Sequence, residues 1–87
     1  MEDDYLFQEN LAKINDLTKR LQKLSPNDRR DEISIREQLA TRYGAAGDYQ
    51  EAINQLDILE RLNPQRAQSY HQQAKEASIT EFTLDLV

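Results

Sequence analysis

Apolar side chains recur along this chain at steps of three and four, the period of a helix with one buried face. In residues 5–24 the stripe is Phe7, Leu11, Ile14, Leu17, Leu21 and Leu24, with Lys13, Lys19, Arg20 and Lys23 mostly off it. The segment from about 27 to 45 places Ile35, Leu39, Tyr43 and Ala46 on one face, with Ala40 beside them. A third segment, 48–62, carries Tyr49, Ala52, Ile53, Leu56, Leu59 and Leu62. The fourth, 64–78, is thinner: Ala67, Tyr70, Ala74 and Ala77 form its apolar face among Gln68, Gln72 and Gln73.

The breaks between stripes carry start and stop chemistry. Ser25-Pro26 is read as N-cap and first helical residue of the second helix, with Asp28 three positions after the cap. Gly44-Ala45-Ala46-Gly47 ends that helix, Gly47 being free to take a left-handed turn. Asp48-Tyr49-Gln50-Glu51 has the spacing of a capping box, and Asn63-Pro64 repeats the cap-then-proline device. Loops this short force consecutive helices to lie antiparallel and adjacent. The expected fold is all-α: four antiparallel helices as stacked hairpins in one helical domain over 1–79, then a short apolar tail, 80–87.

Within and just before the tail stand Ile79, Phe82, Leu84 and Leu86. The last three alternate with polar residues, which suits a strand added to the edge of a partner's sheet. Ile79, Phe82 and Leu86 also have helical spacing, so the fourth helix can continue through them. Large apolar side chains seldom stay in water, so folding back over the domain's own groove is expected ahead of docking elsewhere.

One stretch has a more specific pattern: Arg36-x-x-Leu39-Ala40-x-x-Tyr43, then Gly47-Asp48-Tyr49, Ala52-x-x-x-Leu56 and Pro64. It resembles a tetratricopeptide repeat, a helix-turn-helix unit, over residues 33–66. Lys23-Leu24-Ser25-Pro26 echoes Arg61-Leu62-Asn63-Pro64, so the first helix looks like the second half of a preceding unit. The fourth looks like the first half of a following one, with Tyr70 and Ala74 in the aromatic and small places. The chain departs from the family at Arg36, where a large aromatic is preferred, and at Leu59, where a small residue is usual. A generic small helical bundle accommodates the same spacing.

The resemblance implies that Ser34, Glu37, Gln38 and Thr41 of the second helix face a bound protein segment. Glu37 and Thr41 stand where some family members clamp a terminal carboxylate with Lys and Asn, so no carboxylate clamp is implied.

Composition narrows the chemistry. The chain has 87 residues, a formal charge of −5 and no cysteine, which excludes disulfides, thiolate nucleophiles and cysteine-based metal sites. A small helical domain of this size buries only about 60–65% of its unfolded surface and is marginal without good packing or a partner. Basic residues Lys19, Arg20, Lys23, Arg29 and Arg30 cluster around the first turn, but Asp16, Asp28, Asp31 and Glu32 are interspersed. The acidic middle of the chain and the lack of an aromatic stacking platform argue against nucleic acid as a partner. His71 is the lone histidine and is expected on an exposed or half-packed helix face; Asp57 and Glu60, one helical step apart, form a common exposed pair. With no phosphate loop, metal-ligand spacing or nucleophile motif, no enzyme, cofactor or small-molecule substrate is expected. The acidic start of the chain is not that of a signal peptide, and no run is long and apolar enough to span a bilayer. A cytoplasmic interaction module is therefore expected, with Ser34, Glu37, Gln38, Thr41, Phe82, Leu84 and Leu86 as partner-binding residues. A self-associating homodimer and a nucleic-acid-associated factor using the basic turn at 19–30 are the alternatives.

Overall fold

The computed structural model describes residues 2–86. Four helices follow in order: α1 (Glu2–Gln22), α2 (Arg29–Ala45), α3 (Tyr49–Leu62) and α4 (Ala67–Asp85). A single 3₁₀ turn, Pro64–Arg66, leads into α4. The fold is all-α, with α1 packed on α2, α2 on α3 and α3 on α4. Its Cα extents are 43 × 28 × 13 Å. The short dimension matches two helix axes about 8–10 Å apart plus a Cα radius of about 2.3 Å on each side, so the molecule is two helices deep.

Leucines and isoleucines at the expected helical spacing build the core. Ile14 and Leu17 of α1 meet Ile35 and Leu39 of α2, flanked by Leu21, Leu24, Tyr43 and Ala46. On its other side α2 presents Ala40 and Ile33 to Leu56 and Leu59 of α3 and to Tyr70 and Ala74 of α4. Burying a side chain of Leu size is worth about 1.5–3 kcal/mol, so the two clusters that share α2 carry most of the association.

The α2–α3 turn forms as its glycine requires. Gly47 has φ +83°, a conformation that costs an L side chain strain. Asp48 N–H donates to Tyr43 C=O at 2.9 Å and Gly47 N–H to Gly44 C=O at 3.1 Å, the paired bonds of a Schellman motif. The Asp48 carboxylate then accepts from Glu51 N–H at 3.3 Å and caps α3.

Two boundaries differ from expectation. Asp28, not Ser25, is the residue preceding α2. Ser25 and Pro26 belong to a turn closed on itself: Asp28 N–H donates to Ser25 C=O at 3.0 Å and Ser25 N–H to the Asp28 carboxylate at 3.3 Å. The second difference is the tail, which is helical as far as Asp85. No Gly or Pro interrupts residues 67–85, and the Thr80 and Thr83 hydroxyls bond back to Glu76 and Ile79 carbonyls within the continuing helix. Ile79, Phe82, Leu84 and Leu86 are consequently exposed rather than folded back. Among the described residues, no helix is long and apolar enough to cross a membrane.

Candidate functional site

The outward face of α2 holds the four residues expected to meet a ligand. Ser34, Glu37, Gln38 and Thr41, with Arg42 and Ala45, line a shallow depression of about 470 Å³. Ser34, Gln38 and Thr41 are exposed and bond within their own helix: the Gln38 amide to Ser34 C=O at 3.3 Å, Thr41 Oγ1 to Glu37 C=O at 3.2 Å. Glu37 is in a different position. Its Oε2 accepts from the Tyr70 hydroxyl at 2.9 Å and from Arg66 at 3.0 Å, so it ties α2 to α4 and its charge is already answered.

Tyr70 is only 1% exposed. Its hydroxyl also accepts from the Asn63 amide at 3.1 Å, and Arg66 lies 5.8 Å over its ring. Burial pushes this hydroxyl above its ordinary value; the bond from Asn63 pulls it down, and Glu37 raises it. The group stays neutral at physiological pH and works as a structural donor.

A second polar tie crosses α2 and α3. Arg36, 17% exposed at its side chain, pairs with Glu32 at 2.8 Å and donates to Gln55 Oε1 at 2.9 Å. Gln55 is buried on α3 in a position that the apolar pattern left unassigned. Arg36 thus satisfies the buried Gln55 with its head while pairing with Glu32.

The large exposed apolar residues gather at one end. Among the described residues these are Tyr5, Phe7, Leu11, Ile79, Phe82, Leu84 and Leu86. Arg42 donates to Asn10 at 3.1 Å, which fixes the start of α1 beside the end of α2. Phe7, one turn before Asn10, is exposed there. On the other side Leu84 and Glu81 line a depression with Gly47, Asp48, Tyr49 and Gln50. The last turns of α4 therefore lie at the same α2–α3 turn. Phe82 is 65% exposed and Leu86 71%.

The opposite end holds several basic groups, some of them tied within the fold. Arg29 donates through Nε and Nη2 to Leu62 C=O, compensating the open carbonyls at the end of α3. Arg20 pairs with Asp16 at 3.2 Å. His71 is exposed, with Nδ1 3.5 Å from Glu60 Oε1, and Asp57 is exposed on α3. Glu60 and His71 border a shallow depression with Ala67, Gln68 and Gln72.

Comparison with protein families, curated proteins and solved structures returns no match for this chain. Of the residues expected at the site, Ser34, Glu37, Gln38 and Thr41 share the α2 depression, while Phe82, Leu84 and Leu86 form a separate group on the last turns of α4. Tyr5, Phe7 and Leu11 join the second group at the same end and were not anticipated. The first-helix stripe showed that Phe7 and Leu11 were apolar, but its spacing alone did not show that they would stay uncovered.

Proposed function

We propose that the protein is a non-catalytic interaction module, an adaptor, assembly factor or regulatory subunit that binds another protein. One observation carries the proposal: among the described residues seven large apolar side chains are exposed, on the first turns of α1 and the last turns of α4. Such concentrations mark interaction sites, whereas singly scattered apolar residues are ordinary. The resemblance of residues 33–66 to a tetratricopeptide unit supports the same function, with Tyr70 of α4 packed beside Ala40 as a following unit would be. In that frame the α2 depression offers a second, polar surface through Ser34, Gln38 and Thr41.

The basic end favours a structural use of its charges, since Arg29 holds Leu62 and Arg20 holds Asp16. A homodimer is the second possibility and would use the same apolar end. Affinity capture from native cells, run with the unaltered protein and with Phe82→Asp/Leu86→Asp, tests the proposal. One stoichiometric partner, retained by the unaltered protein and lost by the variant, is expected. Equal recovery with both proteins, or recovery of the chain alone, would count against it.

A further inference from the structure

The two sides of α4 differ. Tyr70 and Ala74 pack into the core, and Ala77 and Glu81 continue that side, half-buried. On the opposite side Gln72, Lys75, Ile79, Phe82 and Leu86 are all exposed. They follow at steps of three, four, three and four, the spacing by which two helices pack along a shared seam. This seam is complementary to itself. Two copies laid antiparallel, with a two-fold axis between residues 80 and 81, set Ile79 of each against Phe82 of the other. The same register carries each Lys75 to Leu86 of the other copy, beside the last carbonyls of its α4, the negative end of that helix. α4 has no basic residue in its own last turn, so one copy alone leaves that end unanswered. Glu76, beside the seam, comes opposite Thr83 rather than another carboxylate. A parallel pair would instead stack Lys75 on Lys75.

We propose that in the isolated protein the Ile79–Phe82–Leu86 seam is covered by the same seam of a second copy, running antiparallel, and that a protein partner displaces this copy when it binds. The second step deepens the interaction-module proposal and rests on it; the first stands without it. Three large apolar side chains from each copy make a small interface, so the dimer is weak and exchanges readily. Weak self-pairing shields the apolar seam from water while leaving it open to a tighter partner.

Sedimentation equilibrium of the purified full chain, over roughly 1–500 µM, spans the dissociation constant expected of so small an interface. A monomer–dimer equilibrium is expected. Phe82→Asp should abolish the dimer with helix content unchanged, because Phe82 is exposed. Lys75→Glu should weaken it by about fivefold or more, since each dimer holds two such contacts. Gln68→Asp, beyond the overlap of the two helices, should leave it unchanged. A monomer at every concentration, a dimer that survives Phe82→Asp, or one indifferent to Lys75→Glu overturns the self-pairing. A photoreactive residue at position 82 then tests displacement: it should crosslink the purified chain to itself and, in the native cell, to a different protein. Self-crosslinks alone in the cell would remove the displacing partner, and the interaction module with it, while leaving the dimer. A different protein crosslinked in the cell, with only monomer after purification, would do the reverse.

Discussion

Tyr70 concentrates several roles in one side chain. Its ring closes the second core cluster, and its hydroxyl joins Asn63 at the end of α3 to Glu37 on α2. Replacing it with Phe keeps the ring and removes the donor. The expected loss is about 0.5–1.5 kcal/mol in urea unfolding followed by circular dichroism. The pH dependence has a definite sign. Burial raises the folded-state pKa above the ordinary 10.0, so the folded state prefers the neutral hydroxyl. That contribution is complete below pH 10 and disappears as pH climbs through the higher folded value. The gap in stability between the unaltered protein and Tyr70→Phe should narrow above that pH; a constant gap would contradict the assignment. The sequence showed an aromatic in the right place at residue 70. It did not show that Glu37, expected to face a ligand, would be drawn into the same network, because the partners are 33 residues apart.

At the scale of elements, helical period and caps revealed most of the architecture. Gly47 and Asp48 ended one helix and started the next as their chemistry dictates, and the stripes of α2 and α3 supplied Ile35, Leu39, Ala52, Leu56 and Leu59 to the interior. Two boundaries lie away from the expected ones for local reasons, the continuing fourth helix having been one of the readings left open. Ser25-Pro26 closes a turn because Asp28 accepts from the Ser25 N–H, which delays α2. Residues 80–85 continue α4 because nothing in them breaks a helix, although their alternating pattern also suits a strand. Gln55 was hidden from pattern analysis, since a buried glutamine is legible only once its partner Arg36 is in place. Arg36→Ala should therefore cost about 1–3 kcal/mol by stranding the buried amide. Adding Gln55→Leu should recover part of that loss, as measured by a double-mutant cycle in chemical denaturation. Strictly additive losses would show that the two side chains act independently.

The molecule as a whole is polarised. One end carries uncovered apolar residues; the other carries Arg29, Arg30, Arg61 and Arg66 near α-helix ends. This polarity was only half legible in the sequence. The apolar residues at 79–86 stood out, but that Tyr5, Phe7 and Leu11 are exposed at the same end depends on the antiparallel register of α1 and α4 against the central hairpin. The stability of the domain rests on Leu59, Leu39 and Tyr70, all near-fully buried and remote from the exposed seam, so binding and folding can be altered separately. The most direct measurement is photo-crosslinking in the native cell from a photoreactive residue placed at position 82, compared with one at position 68. The apolar-end account predicts a crosslink from 82 to one other protein, removed by Leu86→Asp, and none from 68. No crosslink from 82, or the same products from both positions, would contradict it.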